Sequence, residues 1–445
     1  MATCNTAPFE NMESKVKLRG NGSICCVRAV ILLLLLFCFH LSAPAQDKLQ
    51  WTGSWSSAQQ SECDPLQLPK LGFEHVTLRE TVHLSLGGNR IRLRISNLFG
   101  AQRLQIRSVA VAPALPGELA AIAANSSVPA LFNNSASVAV PAESELTSDA
   151  IALHVEPLSS LVVTLSIEKA PECATTHPGS RATSFLIQGD RASDENLPDA
   201  ESFAHWYFLS AVDVAGGGAN GAVAAIGDSI TDGRGSTTDG NDRWTDVLAR
   251  RLAPEKIAVL NLGIGGNRVL GDGIGPSAVS RFDRDVLNAA GVRTVIVFEG
   301  TNDLAGFDRS QEHAPAEHRK LVAKLESAMQ KMTKIAHQQG LCVLGGTVTP
   351  YVGSDYYHPG PRSEADRQTF NEWVRTSGIF DGVIDFDKLL RDPDQPDRLA
   401  ARVDSGDHLH PGPEGYRLMG EGIPLQLLTP GACRVSLQVS SDSAH

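Results

Sequence analysis

From residue 222 onward the chain alternates short, continuous apolar runs with amphipathic stretches, and this texture constrains the fold more than any other feature. The apolar runs fall at 222–227, 257–262, 293–298, 341–347 and 380–385. Each is the length of a strand and apolar at successive positions, as expected when both faces of a sheet are covered. Between them, Asp242 to Leu252 places Trp244, Val247, Leu248 and Leu252 on one helical stripe, and Ala316 to Gln339 is a longer amphipathic segment ending at Gly340. Alternation of this kind predicts an α/β fold, a three-layer αβα sandwich around a parallel five-stranded sheet. Ligands of such sheets bind beyond the carboxyl ends of the strands.

The preceding segment has a different texture. Val76 to Leu86 and Arg90 to Ile95 alternate apolar and polar residues on either side of Gly87-Gly88-Asn89. That pattern predicts a hairpin with one face in a core and the other in water. Further strand-like runs occur at 104–111, 150–155, 161–167, 184–187 and 206–214. Many short strands with glycine and proline turns predict a β-sandwich or jelly-roll-like domain over 46–214. The glycine-rich run 215–221 is read as a flexible linker. It leads into the α/β domain at 222–428, and a tail follows at 429–445.

Residues 1–45 read as a secretory signal peptide. Lys15, Lys17, Arg19 and Arg28 precede an apolar stretch from Ala29 to Leu41, and Ala43-Pro44-Ala45 supplies a small-residue cleavage pattern. The apolar stretch is shorter than the roughly 20 residues a spanning helix requires. The expectation is a secreted, periplasmic or extracellular protein with no stable membrane span after cleavage. The formal net charge of -11 argues against a nucleic-acid partner, which needs a basic face. Cys63, Cys173, Cys342 and Cys433 lie beyond the leader. Cys63 and Cys173 share the β-rich domain and form the expected disulfide. Cys342 lies in the apolar run Leu341 to Leu344 and is expected to be a free buried thiol.

Four blocks carry residue types suited to chemistry. Gly227-Asp228-Ser229 follows the first apolar run, where a glycine permits a sharp exit and the serine hydroxyl faces a cleft. Aspartate and serine are also good helix caps, so this block alone is equally a turn. Asn261-Leu-Gly-Ile-Gly-Gly266 follows the second run, and Gly266 offers a backbone nitrogen to an oxyanion or simply makes a turn. Gly300-Thr-Asn302-Asp303 follows the third run, where the Asn302 amide is either an oxyanion donor or part of an Asx turn. Near the other end, Asp404-Ser-Gly-Asp407-His408-Leu-His410 places a carboxylate three residues from an imidazole. Serine, histidine and aspartate are the parts needed to activate a hydroxyl at neutral pH. Asp404, Asp407, His408 and His410 are also metal-ligand types, whereas no CxxC pattern exists to support a structural zinc. His408 is expected to be a satisfied rim histidine.

In this order the four blocks resemble the SGNH (GDSL-type) hydrolase family over about 222–428, with GDSI in place of GDSL. The resemblance implies a flavodoxin-like sheet with Ser229 as nucleophile, His410 as base and Asp407 as its orienting acid. Oxyanion donors are then the nitrogens of Ser229 and Gly266 and the Asn302 amide, and no cofactor or metal is required. A β-rich domain ahead of the hydrolase is also similar to a bacterial two-domain subgroup. The implied activity is hydrolysis of carboxylic esters, with O-acyl groups on carbohydrate as the expected substrate, small or polymeric. Lipase or lysophospholipase activity is the alternative. A non-catalytic glycan-binding protein and a metallohydrolase are rival classes. Trp51, Trp55, Trp206 and Tyr207 are expected to pack in a core rather than stack on sugars.

Overall fold

The computed structural model describes residues 49–429 and 431, so the expected leader and its cleavage site lie outside the described residues. Five parallel strands form the centre of the C-terminal half: β1 (Ala222–Gly227), β2 (Ala258–Gly263), β3 (Val292–Phe298), β4 (Cys342–Gly346) and β5 (Gly382–Ile384). Their order across the sheet is β2-β1-β3-β4-β5. The order reverses at β1, which makes its carboxyl end the switch point where open α/β sheets bind ligands.

Helices cover both faces. On one side Leu321, Leu325, Met329 and Met332 of the helix Pro315–Gln338 pack with Val295, Val297 and Val343 of the sheet. On the other, Trp244, Leu248 and Leu252 of the helix Trp244–Leu252 pack with Val223, Ile296 and Leu344, together with Tyr416 and Met419 of the helix Pro413–Gly422. The three helices Pro315–Gln338, Pro361–Thr376 and Pro413–Gly422 each begin with proline in the first turn, where a missing N–H costs nothing. The result is the three-layer αβα architecture, with both sheet faces buried as the apolar runs require.

The N-terminal half is antiparallel β throughout. One sheet has four strands in the order Thr52–Ser56, Leu209–Ala215, Arg90–Asn97 and Ser144–Thr147. A larger sheet is built around Glu74–His83, Ser160–Lys169 and Leu104–Pro113, and a small one joins Gln60–Glu62, Ala174–His177 and Trp206–Tyr207. The expected hairpin between 76–86 and 90–95 does not form. Glu74–His83 pairs with Ser160–Lys169 and Ser184–Gln188, while Arg90–Asn97 pairs with Leu209–Ala215 and Ser144–Thr147. The segment between them is an arch from one sheet to the other. Its backbone is taken up elsewhere: Leu84 N–H donates to Ser159, Gly88 N–H to Val155 and Asn89 N–H to Ala215. Leu78, Val82, Leu93 and Ile95 then meet in one core between the sheets.

That core continues into the α/β half, since Ala222, Ala258 and Leu260 belong to the same cluster as the sandwich residues. The Ser85 hydroxyl accepts from the Val259 N–H at 3.0 Å, and Gly53 N–H donates to Ala290 at 2.8 Å. Cys63 and Cys173 form a disulfide, as expected. Cys342 corrects the expectation of a free thiol, because it is disulfide-bonded to a partner outside the described residues. The apolar run around it hid this: Leu425, Leu427 and Leu428 pack in the same cluster as Cys342.

Candidate active site

Gly227 ends β1 with its Cα pressed against the next turn. A Cβ there would lie 2.1 Å from the Thr231 hydroxyl and 2.7 Å from the Phe298 carbonyl, so only glycine fits. The chain then enters a one-turn helix, α1 (Ser229–Asp232), capped by Asp228, whose carboxylate accepts from the Ile230 N–H at 2.9 Å. The two roles open to this block are thus divided between neighbours: Asp228 caps, and Ser229 keeps its hydroxyl free. That hydroxyl donates to Nε2 of His410 at 2.8 Å across 181 residues of sequence.

Nδ1 of His410 donates to Oδ2 of Asp407 at 2.6 Å. The other oxygen of Asp407 accepts the N–H groups of Leu409 and His410 at 3.0 and 2.8 Å. Partial burial pushes the Asp407 carboxyl up, but the bond and charge of His410 and these two N–H groups overcome it. They hold Asp407 well below the usual carboxylate range. His408 instead bonds Asp404, Nδ1 to Oδ2 at 2.6 Å, and stays exposed. The four residues weighed as metal ligands therefore separate into two histidine–aspartate pairs.

Gly266 lies in the turn after β2 with a φ of +72°, where glycine is favoured. The backbone nitrogens of Ser229 and Gly266 donate to no described residue. Asn302 sits in the helix Thr301–Ala305, directly beyond β3. Its Nδ2 donates to the Asn267 carbonyl at 2.7 Å and its Oδ1 accepts from the Tyr357 hydroxyl at 2.5 Å. One amide hydrogen remains for a ligand. Ser229, Gly266, Asn302 and His410 all line one cleft of about 870 Å³. Three of them come from the carboxyl ends of adjacent strands, and the fourth from the loop ahead of the last long helix.

Four contributors were not read from the sequence. Tyr357, in the loop beyond β4, fixes which way the Asn302 amide points; burial holds its hydroxyl above the ordinary value, so it stays a donor. Asp303 accepts the N–H groups of Val269 and Leu270 at 2.8 and 3.2 Å, which pins the chain beyond Gly266. Burial, opposed by those bonds, pushes its carboxyl up to about 6. Arg281, fully buried, donates to the carbonyls of Gly227 and Leu262 and to Oδ1 of Asn267. It ties the ends of β1 and β2 to the glycine turn. Asp232 of α1 pairs with His177 of the β-rich half, and Pro178, Gly179 and Arg181 beyond that histidine line the cleft. Position at a strand's carboxyl end was the signal for Tyr357; nothing in the sequence spacing marked the others.

A second cavity of about 90 Å³ lies behind Asp232 between the two halves, lined by Trp55, His177 and Trp206 among others. Trp55, Trp206 and Tyr207 are buried and none lines the larger cleft. Trp51 is covered by the Arg92 guanidinium.

A serine hydroxyl relayed through imidazole to carboxylate, at the switch point of a parallel sheet, defines the class: an α/β protein with a serine-hydrolase-type constellation. Residues 225–418 match the model of the GDSL-like Lipase/Acylhydrolase family, and the parallel five-stranded sheet with its helices matches the SGNH fold. Among solved structures, the lipase/acylhydrolase from Enterococcus faecalis is similar at 21% identity, covering 46% of this chain and 94% of that one, with a TM-score of 0.34. A GDSL-like lipase from Bacteroides thetaiotaomicron VPI-5482 is 17% identical over 45% of this chain and 84% of its own, with a TM-score of 0.34. Est24, a carbohydrate acetylesterase from Sinorhizobium meliloti, is 15% identical over 45% of this chain and 95% of its own, with a TM-score of 0.35. No curated protein matches the chain in sequence.

Proposed function

We propose that the protein is a serine esterase that hydrolyses carboxylic esters by acyl transfer to water. The observation that carries this reading is the unbroken relay Ser229–His410–Asp407 beside two unused backbone N–H groups. His410 takes the Ser229 proton as the oxygen attacks the ester carbonyl, and Asp407 stabilises the resulting imidazolium. The oxyanion is met by the nitrogens of Ser229 and Gly266 and by the free Asn302 hydrogen. His410 then protonates the leaving alcohol, and water repeats the cycle on the acyl-enzyme.

The substrate we infer is an O-acyl, notably O-acetyl, group on carbohydrate. The open cleft, with room for a substrate larger than a simple ester, supports this. The leader pattern of residues 1–45 supports export to the compartment where polymeric glycans are met. One observation favours a lipid-directed second reading: Ile274, 60% exposed, lies on the cleft wall beside Gly266 and offers an apolar surface to a longer acyl chain.

A panel of 4-nitrophenyl esters of increasing chain length and acetylated xylo- and pectin-type oligosaccharides tests the proposal. Wild-type protein releases acetate, and Ser229→Ala does not. A wild-type protein that binds these glycans without turnover is a binding protein instead, and activity lost on chelation belongs to a metallohydrolase.

A further inference from the structure

Four arginines, Arg181, Arg234, Arg268 and Arg309, line the cleft that holds Ser229 and His410. None makes a side-chain hydrogen bond or ion pair with a described residue, although Arg309 lies 4.0 Å above the Tyr356 ring. Three carboxylates line the same cleft, but Asp232 is engaged by His177 and Asp407 by His410, which leaves Asp355. A chain with a formal charge of -11 has thus gathered unpaired cations around its reactive serine.

Arg181 is the most strongly constrained of the four. Its φ is +47°, a left-handed backbone that side chains other than glycine, asparagine and aspartate rarely adopt. Its Nε is buried without a partner. The segment that carries it is clamped on both sides. Before it, His177 bonds Asp232 at 2.9 Å, and the Ser180 carbonyl accepts from Arg243. At and beyond it, the Arg181 carbonyl accepts from the Asp239 N–H at 2.9 Å, and both Asp239 oxygens accept from Thr183 at 2.7 and 2.6 Å. The β-rich half therefore delivers one arginine to the cleft of the other half, on a strained backbone. Because the Nε is buried, the terminal guanidinium nitrogens are the donors that a ligand in the cleft can meet.

We propose that the cleft selects esters bearing an anionic group, carboxylate or phosphate, with Arg181 as the main determinant and the other three arginines as the surrounding field. The inference rests on the esterase reading and narrows its substrate class. Guanidinium groups bind both anions by charge-assisted, often bidentate hydrogen bonds. Steering by the field adds a salt-dependent gain in encounter rate.

The test uses three small acetyl esters and the full-length protein. They are a mono-O-acetyl methyl galacturonoside, its neutral 6-carboxamide, and a mono-O-acetylglucose 6-phosphate. 4-Nitrophenyl acetate reads the esterase reading alone. Binding of the first three to Ser229→Ala by calorimetry reads the anion preference without turnover. Expected is a kcat/KM and an affinity for an anionic ester about tenfold or more above the carboxamide, falling as salt rises from about 0.02 to about 0.2 M. Arg181→Gln removes most of that ratio, leaves 4-nitrophenyl acetate within about threefold, and Arg181→Lys restores part of it. Arg234→Gln, at an exposed position, lowers the salt sensitivity and keeps the test open should Arg181 variants fold poorly. Which anion wins identifies the group. Equal affinity and kcat/KM for the uronoside, the phosphate and the carboxamide, unaffected by salt, overturns the proposal while leaving the esterase standing. No turnover of any ester, with anion binding intact, overturns the esterase alone.

Discussion

His177 reaches from the β-rich half to Asp232 of the serine-bearing helix, Nε2 to Oδ1 at 2.9 Å, with both side chains about 95% buried. Its Nδ1 faces the Ala58 carbonyl at 2.7 Å. Both ring nitrogens face oxygen partners, so the ring is engaged on both sides at the seam between the two halves. Removing the histidine leaves the buried Asp232 carboxylate without its partner. His177→Leu is expected to lower the unfolding free energy by about 3–5 kcal/mol. The double variant His177→Leu/Asp232→Leu recovers a large part of that loss. Denaturant titration of the three proteins checks it; additive losses in the double variant would show that the two residues do not act as a pair.

Tyr357 gives a second prediction. Its hydroxyl donates to Oδ1 of Asn302 and so turns the amide nitrogen toward the cleft. Tyr357→Phe is expected to reduce kcat about tenfold with little change in KM, and Asn302→Ala to cost about 10²–10³. Because both act on one donor, the double variant loses little more than Asn302→Ala alone. Full additivity would separate Tyr357 from the amide.

Asp303 sets a pH dependence of stability. Its carboxyl is pushed up to about 6 by burial, above the ordinary value of 3.8, so the folded state holds its proton more tightly than the unfolded chain. The favourable contribution is complete below about pH 4 and is lost as pH rises through about 6, a change of about 3 kcal/mol. Asp303→Asn stays neutral throughout, so wild type loses ground to it across that window. Unfolding free energies at closely spaced pH values measure the gap, and a gap independent of pH contradicts the assignment.

The Cys63–Cys173 bridge spans 110 residues of the β-rich half. Closing a loop of that length restricts the unfolded chain by about 4–5 kcal/mol in the chain-entropy account. Cys63→Ser/Cys173→Ser is expected to lower the melting temperature markedly while activity in the folded protein persists. An unchanged melting temperature rules out a stabilising role.

The α/β half was legible because its physics is local and repetitive. Apolar runs sandwiched by helices have one arrangement, and the observed strands lie within two residues of the expected ones at every end. Ser229, Gly266, Asn302, Asp407 and His410 were legible through order and spacing, and the fold brings all five to one cleft. The β-rich half was less so. Alternation announces a strand but not its partner, so Gly87-Gly88-Asn89 served equally as a hairpin turn or as the arch it forms. Arg281, His177 and Arg181 were invisible because each acts across a long sequence separation on backbone or buried charge, and no short motif records such contacts. Cys342 was misread because a disulfide and a buried thiol leave the same apolar neighbourhood.

The central claim is that Ser229 is the activated nucleophile of this chain. Stoichiometric reaction with a fluorophosphonate, followed by peptide mass spectrometry, tests it most directly. One adduct per chain on the peptide containing Ser229, slowed at least a hundredfold in His410→Ala, is the expected result. Labelling that spares Ser229, or proceeds undiminished without His410, contradicts the account.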